Sequence, residues 1–115
     1  MSRRIERVNK VILEELSKIL KREVEFSPGV LVTITRVETS QDLRQASVYI
    51  STIPEEKKKE VFGLIRKNIY QIQGLLNQAF KIKIMPRISF LEEKETKKAA
   101  EVEVILEKIK GIEKD

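Results

Sequence analysis

Ile5, Val8, Ile12, Leu16 and Ile19 recur three and four residues apart, and Leu13 and Leu20 widen the stripe. This spacing predicts an amphipathic helix from Ser2 to about Val24, with Ser2 as its N-cap. Phe26-Ser27-Pro28-Gly29 ends it, because a proline restricts the residue before it and glycine permits a turn. Val30 to Val37 is dominated by β-branched residues and loses the helical period, which predicts a strand. Glu38 to Arg44 is polar and turn-like. From Gln45 to Ser51 the pattern alternates strictly. Ala46, Val48 and Ile50 fall on one face and Ser47, Tyr49 and Ser51 on the other, as in a half-buried strand. The two strands are close enough in sequence for an antiparallel pair.

Pro54, Glu55 and Glu56 suit the start of a second helix. Its apolar stripe runs from Val61 through Leu64, Ile65, Ile69, Ile72, Leu75, Leu76 and Ala79 to Phe80. Gly74 lies inside this run and marks a kink, a break or a close contact, since a mid-helix glycine costs about 1 kcal/mol against alanine. Lys81 to Leu91 alternates again and predicts a third strand, with Pro86 at its start or on an edge. From Glu92 to Ile109 the chain is highly charged, with Val102, Ile105, Leu106 and Ile109 at helical spacing. The order is helix, strand, strand, long broken helix, strand, helix. This is an α+β fold: a domain over residues 1–91, with a charged helix or tail over 92–115 extending it.

Composition narrows the function. The 115 residues contain no cysteine and no histidine, so thiolate chemistry, disulfides and the commonest general base and metal ligand are excluded. No apolar run approaches a membrane span, and the charged N-terminus is unlike a signal peptide, so a cytoplasmic protein is expected. Nucleotide-binding and hydrolase motifs are absent from the sequence. Carboxylates fall mostly on mixed-charge helix faces and read as solvated. No catalytic residue, metal site or cofactor is expected, and no small-molecule substrate.

Lys and Arg total 23 against 18 Asp and Glu, a net charge of +5. Arg3, Arg4, Arg7 and Lys10 crowd the start of the first helix, and Lys81, Lys83 and Arg87 lie around the third strand. If these groups converge they form a phosphate-contacting patch that acts by charge and counterion release. If they scatter, they serve solubility. The chain's aromatics, only 5% of it, are read as core rather than as a base-stacking sheet.

Arg4-x-x-Arg7-Val8 opens an amphipathic helix, and Val37 to Ser51 follows V-x-x-S-x-D-L-x-x-A-x-V-Y-x-S. Ile82 to Phe90 is similar to L-R-x-x-P-x-L-x-F. Together, over about residues 1–110, these segments resemble the ribosome-binding factor A family. The resemblance implies a type-II KH-like fold, in which an alanine-x-glycine helix kink replaces the nucleic-acid-gripping G-x-x-G loop. It also implies a non-catalytic assembly factor of the small (30S) ribosomal subunit that helps mature 16S rRNA and is associated with growth in the cold. The partners are then that subunit and its rRNA, with no membrane, and the free protein is a monomer.

Ile72-Gln73-Gly74 stands where the kink is expected, with the glycine kept and the alanine not. Asn77 stands where the family usually has arginine, and Glu92 or Glu93 replaces an aspartate after the third strand. Carried over residue by residue, the resemblance makes Arg4, Arg7, Arg44, Lys81, Lys83 and Arg87 the RNA contacts, and Arg3 and Lys10 are read with them from the charge cluster at the start of the first helix. Ser40 and Asp42 shape the hairpin turn. The rival reading is a protein–protein adaptor whose charged last helix recruits a partner, the positive charge being incidental.

Overall fold

The computed structural model describes residues 3–80 and 85–93. The first helix, α1, spans Arg3–Glu23 and buries Ile12, Leu16, Ile19 and Leu20, the predicted stripe. Gly29 then adopts a positive φ of 83°, and Val30 N–H bonds the Ser27 carbonyl at 3.1 Å to close the turn. Strands β1 (Leu31–Thr39) and β2 (Gln45–Ile53) pair antiparallel, as their spacing predicts. A 3₁₀ turn over Glu55–Lys57 leads into α2 (Lys58–Lys67), followed by α3 (Ile69–Ala79) and β3 (Arg87–Glu92). β3 pairs parallel to β2, so β2 is the central strand of a mixed sheet in the order β1-β2-β3. A parallel pair needs a crossover, and α2 and α3 supply it.

The core lies between the helices and one face of the sheet. Ala46, Val48 and Ile50 from β2 and Ile88 from β3 meet Ile12 and Leu16 of α1, Val61 and Ile65 of α2, and Ile72 and Leu76 of α3. Phe26, Phe62, Phe80 and Phe90 pack against this cluster, as expected. Tyr70 does not: it is 93% exposed.

β1 contains a bulge. Ile34 pairs with Ile50 but Arg36 with Tyr49, leaving Thr35 as the extra residue. With strict alternation Arg36 would share the helix-facing side with Val32 and Ile34. The bulge instead sends Arg36 to the open face beside Tyr49 and brings Val37 opposite Val48 into the core.

Two expectations are corrected. The long helix breaks at Asn68, not at Ile72-Gln73-Gly74, which lie within an uninterrupted α3. Asn68 leaves helical geometry (φ −106°, ψ 11°), and its side-chain amide donates to the Leu64 carbonyl at 2.7 Å. An asparagine that satisfies a helix's last carbonyls with its own side chain is a stronger break than one glycine flanked by buried Ile72 and Leu76. Second, Glu92 and Glu93 do not begin a helix. Glu92 is the last residue of β3, and Glu93 N–H bonds the Ile50 carbonyl at 2.9 Å. The rest of the expected C-terminal helix, like Lys81 and Lys83, lies outside the described residues.

Candidate nucleic-acid interface

The hairpin turn between β1 and β2 is built from side chains. Ser40 Oγ donates to Asp42 Oδ1 at 2.6 Å, and Arg44 N–H bonds the same oxygen at 3.1 Å. Gln45 N–H bonds Ser40 Oγ at 3.1 Å. The Ser40 hydroxyl, then the Arg44 amide, hold the Asp42 carboxyl below the usual carboxylate range. Leu43 sits in the left-handed region at φ 60°, a conformation costly for a residue with a Cβ. The turn's hydrogen bonds, including Leu43 N–H to the Ser40 carbonyl at 2.9 Å, hold it there. The turn therefore presents Arg44 on a fixed backbone.

Two contacts bring other basic residues to this end. Arg87 N–H bonds the Arg44 carbonyl at 2.9 Å, so the start of β3 lies against the end of the turn. Thr39 Oγ1 donates to Asn9 Oδ1 at 2.5 Å, tying the first turns of α1 to the end of β1. A shallow groove there is lined by Arg4, Ile5, Asn9, Glu38, Thr39, Gln41 and Leu43. Arg3, Arg4, Arg7, Lys10, Arg44 and Arg87 are all exposed. The fold thus gathers the start of α1, the hairpin turn and the start of β3 at one end of the sheet. Glu38 and Asp42 also lie there, but Asp42 is engaged in the turn and Glu38 bonds Arg36. Among the described residues no cluster of acidic side chains could hold a metal ion.

The supporting contacts of β3 were not foreseen in the sequence, where Gln73 stood only within an expected kink and Glu93 only in place of an aspartate. Gln73 reaches from α3 to the start of β3. Its Nε2 donates to the Pro86 carbonyl at 3.1 Å, and its Oε1 accepts the Ile88 N–H at 2.9 Å. One amide therefore satisfies two backbone groups of the strand that carries Arg87. Gln73→Leu is expected to lower stability by about 1–3 kcal/mol, because Ile88 N–H then lacks its partner. Thermal melting checks this; an unchanged Tm would mean the clamp contributes nothing.

At the opposite end of β3, Glu93 has a side chain only 1% exposed. Its Oε2 accepts from Thr35 Oγ1 at 2.7 Å and from Arg36 Nε at 2.8 Å. The Arg36 guanidinium lies 3.7 Å from the centre of the Tyr49 ring, a cation–π stack. Glu93 sits in a charged run and so reads as solvated; the register of β3 on β2 is what buries it.

These elements define a small α+β protein of the type-II KH-like class, in the order helix, strand, strand, helix, helix, strand. Solved structures share it. Ribosome-binding factor A from Thermus thermophilus superposes with a TM-score of 0.57 at 20% identity, over 78% of this chain and 91% of that one. A Thermotoga maritima protein described as a putative ribosome-binding factor A gives a TM-score of 0.53 at 27% identity, over 76% and 80%. The family model of ribosome-binding factor A matches residues 4–106, and the chain belongs to that family. The family's protein from Coxiella burnetii is 31% identical over 108 residues, 94% of this chain and 91% of that one. The one from Carboxydothermus hydrogenoformans is 34% identical over 110 residues, 95% and 88%.

Proposed function

We propose that this chain is a non-catalytic assembly factor that docks its basic end on the 16S rRNA of an immature 30S subunit. The observation that carries the reading is the convergence of α1's start, the Arg44 turn and the start of β3 on one end of the sheet. The placement of the α1 cations supports it. Arg3, Arg4 and Arg7 stand at the positive end of the helix dipole, where cations weaken a helix and phosphate is favoured. A bound polyanion turns that local cost into attraction. Membership of the family supports it too, since a Thermus thermophilus relative has been fitted into a map of its complex with the 30S subunit.

The mechanism is occupancy. A protein that binds one rRNA conformation better shifts the population toward it by its differential affinity, with no bond made or broken. Maturation of 16S rRNA then proceeds from the favoured conformation. The factor works as a monomer in the cytoplasm, and its contribution is greatest in the cold, where RNA helices rearrange slowly. Co-sedimentation with immature and mature subunits across a salt series tests this. The affinity for immature subunits is expected to fall steeply and log-linearly with salt. A flat dependence would favour the adaptor reading instead.

A further inference from the structure

We propose that the groove between α2 and the end of β3 is a docking site for this chain's own C-terminal segment, residues 99–112, seated there as an amphipathic helix. This inference is independent of the rRNA reading and holds whether or not that reading does.

The groove lies at the end of the sheet away from Arg44 and Arg87. Lys58, Lys59, Phe62 and Arg66 of α2 form one wall, and Phe90, Leu91 and Glu92 of β3 the other, around a volume of about 530 Å³. Phe62 and Phe90 are only half-buried against the core, and Leu91 is 41% exposed. Apolar side chains on two facing walls are stabilised when a third element covers them. Lys58 is already held by Glu92 at 2.9 Å. Lys59 and Arg66 are exposed and have no ion pair among the described residues. They stand about two turns apart on α2, so both border the groove.

Three observations select the occupant. The chain leaves β3 through the groove wall itself, since Glu92 lines it and Glu93 N–H is fixed to the Ile50 carbonyl at 2.9 Å. Of the 115 residues, 22 follow Glu93. Lys94-Glu95-Thr96-Lys97-Lys98 can span about 17 Å when extended, enough to bring the next residues back over α2. A tethered segment also has an effective concentration that a separate partner lacks. Second, Val102, Ile105, Leu106, Ile109 and Ile112 form one apolar stripe at helical spacing. Third, residues 99–107 carry Glu101, Glu103 and Glu107 and no lysine or arginine, which complements Lys59 and Arg66. A helix over 99–112 is about 20 Å long and covers the α2 wall, about 12 Å from Lys58 to Arg66. Docking neutralises the cations at this end and leaves the protein's positive field concentrated at the other.

The test uses the full chain. Because the sequence has no cysteine, Lys59→Cys takes one spin label at a defined place. The label is expected to erase amide NMR signals of residues 102–109 within its own chain. Ile105→Ser, on the stripe, is expected to lower Tm by at least about 4 °C, whereas Val104→Ser, off it, leaves Tm unchanged. Lys59→Glu with Arg66→Glu is expected to speed amide exchange over 102–109 by roughly 2-fold to 30-fold, the range of two exposed ion pairs. Adding Glu103→Lys and Glu107→Lys restores the protection. Intact signals beside the label, or an Ile105→Ser variant that melts with the wild type, overturns the proposal. Reversed charges that restore no protection overturn it too. So does signal loss that appears only when labelled chain is mixed with an isotope-labelled second copy, which makes the occupant another molecule's segment.

Discussion

Changing Arg4, Arg7, Arg44 and Arg87 together to glutamate is expected to lower affinity for immature small subunits by about 10²–10³-fold near physiological salt. The figure follows from counterion release. Each phosphate contact contributes a slope of about 0.7–0.9 in log affinity against log salt, so losing four makes the plot shallower by about three. All four side chains are exposed, and the backbone bonds that place Arg44 and Arg87 do not involve their side chains. The variant should therefore melt close to the wild type, since substitutions on an exposed surface usually change stability little. It also removes two cations and adds two carboxylates at the start of α1, which favours that helix. Binding that keeps its slope would show that the fold's convergent cations are not the contact.

The largest effect on stability is expected at Glu93. Glu93→Ala removes the acceptor shared by Thr35 and Arg36, leaving a guanidinium above Tyr49 with its buried partner gone. Breaking a buried pair from one side costs roughly 3–5 kcal/mol. The Arg36 side chain is 32% exposed and can turn to water, so about 2–4 kcal/mol is expected here. In a domain of this size that lowers Tm by roughly 8–30 °C. Glu93→Gln, which keeps an acceptor and loses the charge, should fall between the two. A Tm within two or three degrees, roughly the margin of a surface change, would show that the carboxylate does not tie β3 to β1.

Where the sequence was legible, one strong local signal decided the outcome. α1 follows from a stripe that its buried residues reproduce, and β2 from strict alternation. Ser40 and Asp42 announce their turn because their short side chains bond backbone within a few residues. The meeting of the start of α1 with Arg87 was legible only as a condition, and Arg44 only through the family pattern, since the parallel pairing of β3 on β2 joins residues far apart in the chain.

What stayed hidden depended on tertiary context. The break fell at Asn68 because a side-chain-to-carbonyl bond outweighed the weak signal of Gly74. Val37 falls out of step with Val32 and Ile34, and this was the trace of the bulge at Thr35. Glu93 shares a run with lysines and glutamates, and nothing local separates it from solvated neighbours. Tyr70 was read as core with the chain's other few aromatics, whereas its own position on α3 faces outward.

The Gln73 clamp has a consequence for assembly. Pro86 and Ile88 turn their backbone groups away from β2, toward the side of β3 where a further strand would add. Gln73 occupies those groups as a stand-in for that strand. An incoming chain would have to displace it first, and unguarded sheet edges are where proteins zip together into aggregates. The same amide that steadies the platform under Arg87 thus closes that end of β3 to growth.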